Sequence, residues 1–259
     1  MKPERAWATI DLDVIANNLK LLRRHLPDKK ILAVVKADAY GHGSIAVSRR
    51  LAAENIDFLG VGTSREALDL REAGISTPIL VLGALVEPEL DLLIDQKVSV
   101  TIHSPGRIKI LNETALQMGQ TLGVHLLIDT GMSRLGVSPD QAVSHAWAID
   151  HCKGLRLEGI GTHLPSPSQP QIVSRQREIL HQIVRELQSA GFDSFLVHVD
   201  ASESALRDPD PAAGMVRIGG ALYGFFNKLP AGSGLEAALS LRSQIVYLRD
   251  YPPGHSIGY

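Results

Sequence analysis

Short apolar runs alternate with longer amphipathic segments along most of this chain. Eight runs are almost continuous in hydrophobic residues, and we predict that each forms a strand: 31–35, 58–61, 78–82, 98–102, 124–128, 155–161, 195–199 and 215–218. Apolar residues spaced three and four apart predict helices between these runs, at 64–73, 87–95, 107–118, 139–150 and 172–190. Apolar strands that are each followed by a helix are typical of a parallel sheet covered on both faces.

The number of strand–helix units favours a closed sheet. Eight units within roughly 190 residues match an α/β fold of the closed (βα)8, or TIM-like, barrel type. The pattern leaves one alternative open, a Rossmann-like open sheet with fewer strands than we count. We therefore predict the barrel as the main domain.

The two ends of the chain show different patterns. Residues 7–12 resemble a further strand, and we expect Asp13 to cap a helix that ends before Pro27. Residues 227–234 contain one Pro and two Gly and are predicted to be a connection, while 237–248 and 251–259 alternate like antiparallel strands. We expect a barrel over residues 1–235 and the beginning of a second, β-rich domain over 236–259.

Charge and cysteine content limit the partners and the location. The 259 residues include 26 Lys and Arg against 28 Asp and Glu, so electrostatics give no reason to expect nucleic acid or an anionic membrane as partner. The longest apolar stretch, 78–86, is shorter than the roughly 18–20 residues that cross a bilayer, and the N-terminus has no secretory pattern. The single cysteine, Cys152, excludes an intrachain disulfide, so we expect a cytoplasmic protein.

Polar residues follow the predicted strands where an active site is expected. In this fold the loops after the strands build the active site. Lys36 ends the first barrel strand, and such a lysine either reaches out to water or serves as an amine that forms a Schiff base. The later strand ends bring further candidates to the same rim: Arg134, His163, the segment 198–202 with Ser202, Arg217, Gly219 and Gly220.

The last two strand ends suggest a phosphate site. Gly219 and Gly220 expose backbone N–H groups and allow close approach, and the hydroxyl of Ser202 lies near them in this fold. A phosphate held opposite the strand-end Lys36 suggests pyridoxal 5'-phosphate as cofactor.

Five segments resemble the motifs of the bacterial alanine racemases, which are fold-type III pyridoxal-phosphate enzymes. They are WATIDL (7–12), VVKADAYGHG (34–43), DTGMSRLGV (129–137), VRIGGALYG (216–224) and IGY (257–259), in the family's order. The resemblance implies interconversion of L-alanine and D-alanine for peptidoglycan in a homodimer with shared active sites. We expect most of the family's C-terminal β domain to be lacking here.

The resemblance also implies a role for each candidate residue on the cofactor side. Lys36 would hold pyridoxal phosphate and act as the base that exchanges the Cα proton with D-alanine. Tyr40 would lie by the phosphate, together with Ser202, Gly219 and Gly220. Arg217 would face the pyridine nitrogen, and because a guanidinium only donates hydrogen bonds, that nitrogen should stay unprotonated.

On the substrate side, Tyr259 matches the family's second base, which acts on L-alanine from the other subunit. A phenol with a reference pKa near 10 is a poor base at neutral pH and needs donors that stabilise its anion. His163 would link Arg217 to that Tyr259, and Arg134 would bind near the substrate carboxylate.

Three departures from the family's pattern leave other functions open. Leu127 stands where the family usually has a lysine whose carbamate orients the arginine, residues 164–165 are Leu-Pro instead of Phe-Ala, and Ala201 replaces an asparagine. A non-catalytic barrel that binds pyridoxal phosphate in a regulatory or homeostatic role is one alternative function. An inactive truncated paralogue of a racemase is the other.

A few conspicuous residues are expected to be structural. His103 and His125 lack a second ligand at metal spacing, so we expect no metal site there. Cys152 has no cation that would activate its thiol beyond the neighbouring lysine. The Gly-x-Gly pairs at 60–62 and 159–161 lack the third glycine of a dinucleotide-binding motif.

Overall fold

The computed structural model describes residues 5–225 and 234–258, and its centre is a closed barrel of eight parallel strands. Each barrel strand pairs with the next along the chain, and the last pairs with the first. The strands are β1 (Ala6–Ile10), β2 (Lys30–Val34), β3 (Phe58–Val61), β4 (Ile79–Val81), β5 (Ser99–Ile102), β6 (Leu122–Leu127), β7 (Leu155–Gly161), β8 (Leu196–Ala201), β9 (Met215–Ile218) and β10 (Leu239–Ser243). Strands β2 to β9 form the barrel.

Helices connect the barrel strands and cover them. They are α1 (Leu12–His25), α2 (Lys36–Gly41), α3 (Ser44–Ala53), α4 (Ser64–Glu72), α5 (Leu90–Asp95), α6 (Pro105–Gln117), α7 (Ala142–Asp150), α8 (Pro170–Ser189), α9 (Ser202–Arg207) and α10 (Gly220–Tyr223). Short 3-10 turns, Glu87–Glu89 and Pro139–Gln141, lead into α5 and α7. No helix within the described ranges is both long enough and apolar enough to span a bilayer.

The eight predicted barrel strands correspond to β2 through β9, which confirms the (βα)8 barrel over the open sheet. The five predicted helices are present with ends shifted by a few residues. Helices α2, α3, α9 and α10 were not predicted. Three of them have six residues or fewer, which is too short for a helical repeat to stand out from the polar loops around them.

The predicted cap of α1 is wrong by two residues. Asp11, not Asp13, caps the helix, because its carboxylate accepts hydrogen bonds from the backbone N–H of Asp13 at 2.9 Å and of Val14 at 3.1 Å. Asp11 also has the extended backbone that a capping residue needs, whereas Asp13 lies in the first turn. The helix ends at His25, before Pro27 as predicted.

The barrel strands alternate between two apolar layers. Ile31 and Ala33 of β2 face the helices, while Leu32 and Val34 face the barrel interior with Leu80 and Met215. The same alternation turns several polar side chains of β6, β8 and β9 inward. Most polar groups buried in proteins are hydrogen-bonded, and among the inward-facing atoms Nε2 of His125 is an exception without a partner.

The β-rich end of the chain differs from its prediction. Strand β10 pairs antiparallel with β1, from Ala6 opposite Ser243 to Ile10 opposite Leu239. No strand forms in 244–258, because β1 supplies a partner for only five residues. The predicted connection at 227–234 lies almost wholly outside the described residues. The domain boundary at 235/236 stays a prediction.

Asn18 of α1 links the barrel to the segment that leads into β10. Its buried amide donates to the backbone oxygens of Leu222 at 2.9 Å and Glu236 at 2.8 Å, and its oxygen accepts from the N–H of Glu236 at 3.0 Å. One side chain thus satisfies three backbone groups of two residues that lie 204 and 218 positions away from it in the sequence.

We predict that Asn18→Ala lowers the free energy of unfolding by about 2–3 kcal/mol, because it leaves those backbone groups unpaired. Urea unfolding measures the change. The matched control is Asn17→Ala on the exposed side of the same helix, which should change stability by less than about 0.5 kcal/mol. Equal effects of the two variants would contradict this role of Asn18.

Candidate active site

One cavity lies at the carboxyl ends of the barrel strands, and its volume is about 580 Å³. It is lined by every predicted site residue that the structure describes: Lys36, Tyr40, Arg134, His163, Ser202, Arg217, Gly219 and Gly220. Leu127 also lines it. Tyr259, the remaining predicted residue, lies outside the described residues.

Lys36 opens an unusual turn at the end of β2. Residues 37–40 all have a left-handed backbone, with φ between 51° and 54°. Such a run is unfavourable for residues other than glycine, so it needs support from elsewhere. The N–H of Ala37 donates to a carboxylate oxygen of Glu66 at 2.7 Å, and the N–H of Ser44 donates to Asp38 at 2.7 Å. The turn brings Lys36 and Tyr40 to the same cavity.

Glu66 ties this turn to the end of the neighbouring strand, and the sequence analysis missed it. Its second carboxylate oxygen accepts from the N–H groups of Gly62 at 2.7 Å and Thr63 at 3.2 Å. The hydroxyl of Thr63 accepts in turn from the N–H of Glu66, which completes a capping box for α4. A Thr-x-x-Glu spacing directly after a predicted strand was the available signal.

Ser202, Gly219 and Tyr40 form a cradle at the ends of β8 and β9. The buried hydroxyl of Ser202 accepts from the N–H of Gly219 at 3.0 Å and of Ala221 at 3.2 Å. A Cβ atom at position 219 would lie 2.9 Å from the Tyr40 hydroxyl, so only glycine allows this close approach. Burial raises the pKa of Tyr40, which keeps the phenol a hydrogen-bond donor.

Arg217 is buried below this cradle and is held by backbone oxygens. Its Nη2 donates to the carbonyls of Thr162 at 2.6 Å and Val199 at 2.9 Å, and its Nη1 donates to the carbonyl of His198 at 3.0 Å. Nη1 also contacts Nδ1 of His198. Burial lowers the pKa of Arg217 to about 10, and the nearby Asp200 opposes that change. The guanidinium therefore remains charged at neutral pH.

His163 lies against Arg217 at the mouth of the cavity. Its Nδ1 is 3.4 Å from Nη2 of Arg217. Since a guanidinium only donates, this long contact assigns the acceptor role to Nδ1 and the proton of the neutral ring to Nε2, while the two N–H groups of Nη2 have closer acceptors in the carbonyls of Thr162 and Val199. Burial, together with the smaller effects of the positive charges on Arg217, Arg134 and Lys36, lowers the pKa of His163 to about 4. The ring is neutral at physiological pH.

Arg134 lies on a loop that is held together by hydrogen bonds between backbone N–H groups and the side chain of Asp129. One carboxylate oxygen of Asp129 accepts from three successive N–H groups, those of Gly131, Met132 and Ser133, at 2.9 to 3.0 Å. These bonds lower the pKa of Asp129. The side chain of Arg134 is exposed at the cavity, and the aliphatic Leu127 nearby offers it no acceptor.

This set of groups fits pyridoxal phosphate. A primary amine at Lys36, hydroxyl and backbone donors around Gly219, and a buried cation at Arg217 line the same cavity, and the absence of a Cβ at Gly219 lets the Tyr40 hydroxyl approach the backbone there. Fold and site together define a pyridoxal-phosphate enzyme of the (βα)8-barrel class.

Comparison with known proteins identifies the family. The family model described as "Alanine racemase, N-terminal domain" matches residues 10–226. The chain belongs to this family, whose members depend on pyridoxal phosphate.

Named relatives share most of their length with this chain. The alanine racemase of Synechocystis is 33% identical over 262 residues, an alignment that covers 99% of this chain and 70% of the relative. The alanine racemase of Prochlorococcus marinus is 36% identical, with 99% and 69% covered. The solved alanine racemase of Clostridium difficile superposes with a TM-score of 0.91 at 32% identity and covers all of this chain and 70% of that one.

We predict that the imidazole of His163 titrates near pH 4 in the folded protein, compared with about 6.5 in the chain unfolded by urea. NMR of histidine Cε1–H signals, assigned with a His163→Gln variant, gives both midpoints. Between them the unfolded chain binds more protons, so this histidine makes the folded state less stable as pH falls from about 6.5 to 4. A folded-state midpoint near 6.5 would contradict this environment for His163.

Proposed function

We propose that this protein is an alanine racemase that interconverts L-alanine and D-alanine with pyridoxal phosphate held on Lys36. The observation that carries the proposal is the meeting of Lys36, the Ser202–Gly219 cradle and the buried Arg217 in one cavity of an alanine racemase family fold. When bound, pyridoxal phosphate supplies an electron sink that stabilises negative charge at the substrate Cα.

Arg217 limits how strong that sink becomes. It presents only N–H donors, and its charge at neutral pH follows from a pKa of about 10. A pyridine nitrogen bound against Arg217 would receive no proton from it, so the cofactor would be a weaker electron sink and would favour return of the proton to Cα over other carbons. This favours racemisation over transamination.

Two bases on opposite faces of Cα account for reaction in both directions. The Nζ atom of Lys36 would take and return the Cα proton of D-alanine, and the phenolic oxygen of Tyr259 of the partner subunit would do so for L-alanine. His163 supports the second base, because its Nδ1 is turned to Arg217 and its Nε2–H is left to donate to a phenolate. Arg134 would bind the substrate carboxylate.

The proposal also covers the oligomeric state of the protein, its location and the use of its product. We propose a homodimer in which each subunit completes the other's site, located in the cytoplasm and supplying D-alanine for peptidoglycan. The dimer follows from the role given to Tyr259, and the location follows from the single Cys152.

Borohydride reduction of the protein mixed with pyridoxal phosphate should fix the cofactor on Lys36. The reduced link survives digestion, so peptide mass mapping identifies the lysine that carries it. Because Lys30 begins the same strand but is exposed outside the cavity, Lys30→Ala should label like the unaltered protein. Labelling at other lysines alone, or none in the folded protein, would overturn the cofactor site.

Lys36→Ala should lower kcat for racemisation by at least about a thousand-fold, because it removes both the cofactor anchor and one base. Coupled assays in each direction with purified protein measure the change, and Lys30→Ala again serves as control. A Lys36→Ala variant that racemises alanine at the native rate would contradict the proposed mechanism.

A further inference from the structure

Three polar side chains form a line inside the barrel, in which Arg217 and His198 line the cavity and His125 lies beyond them. Arg217 contacts Nδ1 of His198, and Nε2 of His198 lies 3.0 Å from Nδ1 of His125. The three side chains come from β9, β8 and β6, and all are buried, with His125 fully so. His125 was expected to be only a structural residue, and nothing in the mechanism above uses it.

The donors and acceptors in this line can be assigned from Arg217 outward. Because a guanidinium only donates, Nδ1 of His198 must accept, and the proton of a neutral ring then sits on Nε2. That Nε2–H can donate only to an unprotonated Nδ1 of His125, which places the proton of His125 on Nε2. Burial lowers the pKa of His125 to about 4 and that of His198 well below its usual range, so both rings are neutral.

Two glycines of β7 make room for the two rings. A Cβ at position 159 would overlap Nδ1 of His125, and one at position 161 would overlap the ring of His198. The Gly-x-Gly pair at 159–161 therefore serves this line of side chains. No dinucleotide is needed to explain it.

We propose that His125 is a positioning residue for Arg217, acting through His198. By accepting the Nε2–H of His198, His125 fixes the ring whose Nδ1 receives the Arg217 guanidinium, and so fixes where that cation sits below the cofactor site. The consequence for catalysis rests on the proposed function. The hydrogen-bonded line from Arg217 through His198 to His125, called the relay below, does not depend on the proposed function.

Nitrogen-15 NMR of the histidine rings in cofactor-free protein at pH 7 tests the relay directly. The relay predicts that His198 and His125 are both neutral and both protonated on Nε2, with signals assigned from the His125→Asn spectrum. A His198 ring protonated on Nδ1, or on both nitrogens, would overturn the relay whether or not the protein is a racemase.

The second test measures pyridoxal-phosphate affinity by absorbance titration. His125→Leu removes the acceptor and should weaken binding by about tenfold or more, because it leaves the Nε2–H of His198 unpaired. His125→Asn has an amide oxygen near the position of Nδ1, and it should restore affinity to within about threefold of the unaltered protein. Leu126→Ala, a buried neighbour whose side chain faces the helices, controls for general destabilisation.

The outcomes separate the relay from the proposed function. Equal affinity losses in His125→Leu and Leu126→Ala, or an Asn variant as weak as the Leu variant, would overturn the positioning role. Failure of the unaltered protein to bind pyridoxal phosphate would overturn the proposed function instead, and the NMR result would still decide the relay. If His125→Leu does not fold, the NMR assignment and the Asn variant decide it.

Discussion

A guanidinium buried inside a parallel barrel needs an acceptor for each N–H group it turns away from water. Arg217 finds three backbone carbonyls and the ring of His198, and these acceptors come from the ends of β7 and β8. These hydrogen bonds to the Arg217 guanidinium thus fix the relative positions of β7 and β8 at this end and the tautomer of the His198 ring. His163 then meets this cation, and burial together with the positive charge keeps its ring neutral. The line of polar side chains from His163 through Arg217 and His198 to His125 depends on this buried cation.

The fold was predictable because burial on both faces leaves a strong trace in a sequence. Each barrel strand is an apolar run, and the number of these runs was enough to predict a closed barrel of eight strands. The sequence positions of the cavity-lining residues were predictable, since Lys36 directly follows a predicted strand, His163 lies two residues beyond another, and Arg217 lies near the end of a third. Their contacts were not predictable. His125 and His198 are 73 residues apart, and each is the one polar residue within its predicted apolar run, 124–128 or 195–199.

Local backbone and chain ends account for the other differences. The left-handed turn at 37–40 has no periodicity of its own, because it depends on Glu66 from the next unit. Within residues 5–225 and 234–258, the extra strands expected after 243 find no partner, because β1 from the opposite end of the chain pairs with only five residues. Long-range pairing of this kind leaves no local pattern.

The proposed racemase moves the Cα proton of alanine. Mass spectrometry and chiral chromatography of L-alanine incubated in D2O with the holoenzyme measure it directly. A racemase predicts D-alanine that carries deuterium at Cα, formed as the unlabelled L-alanine is consumed. Alanine that stays fully protonated at Cα, while pyridoxal phosphate remains bound to Lys36, would contradict catalysis and favour a barrel that only binds the cofactor.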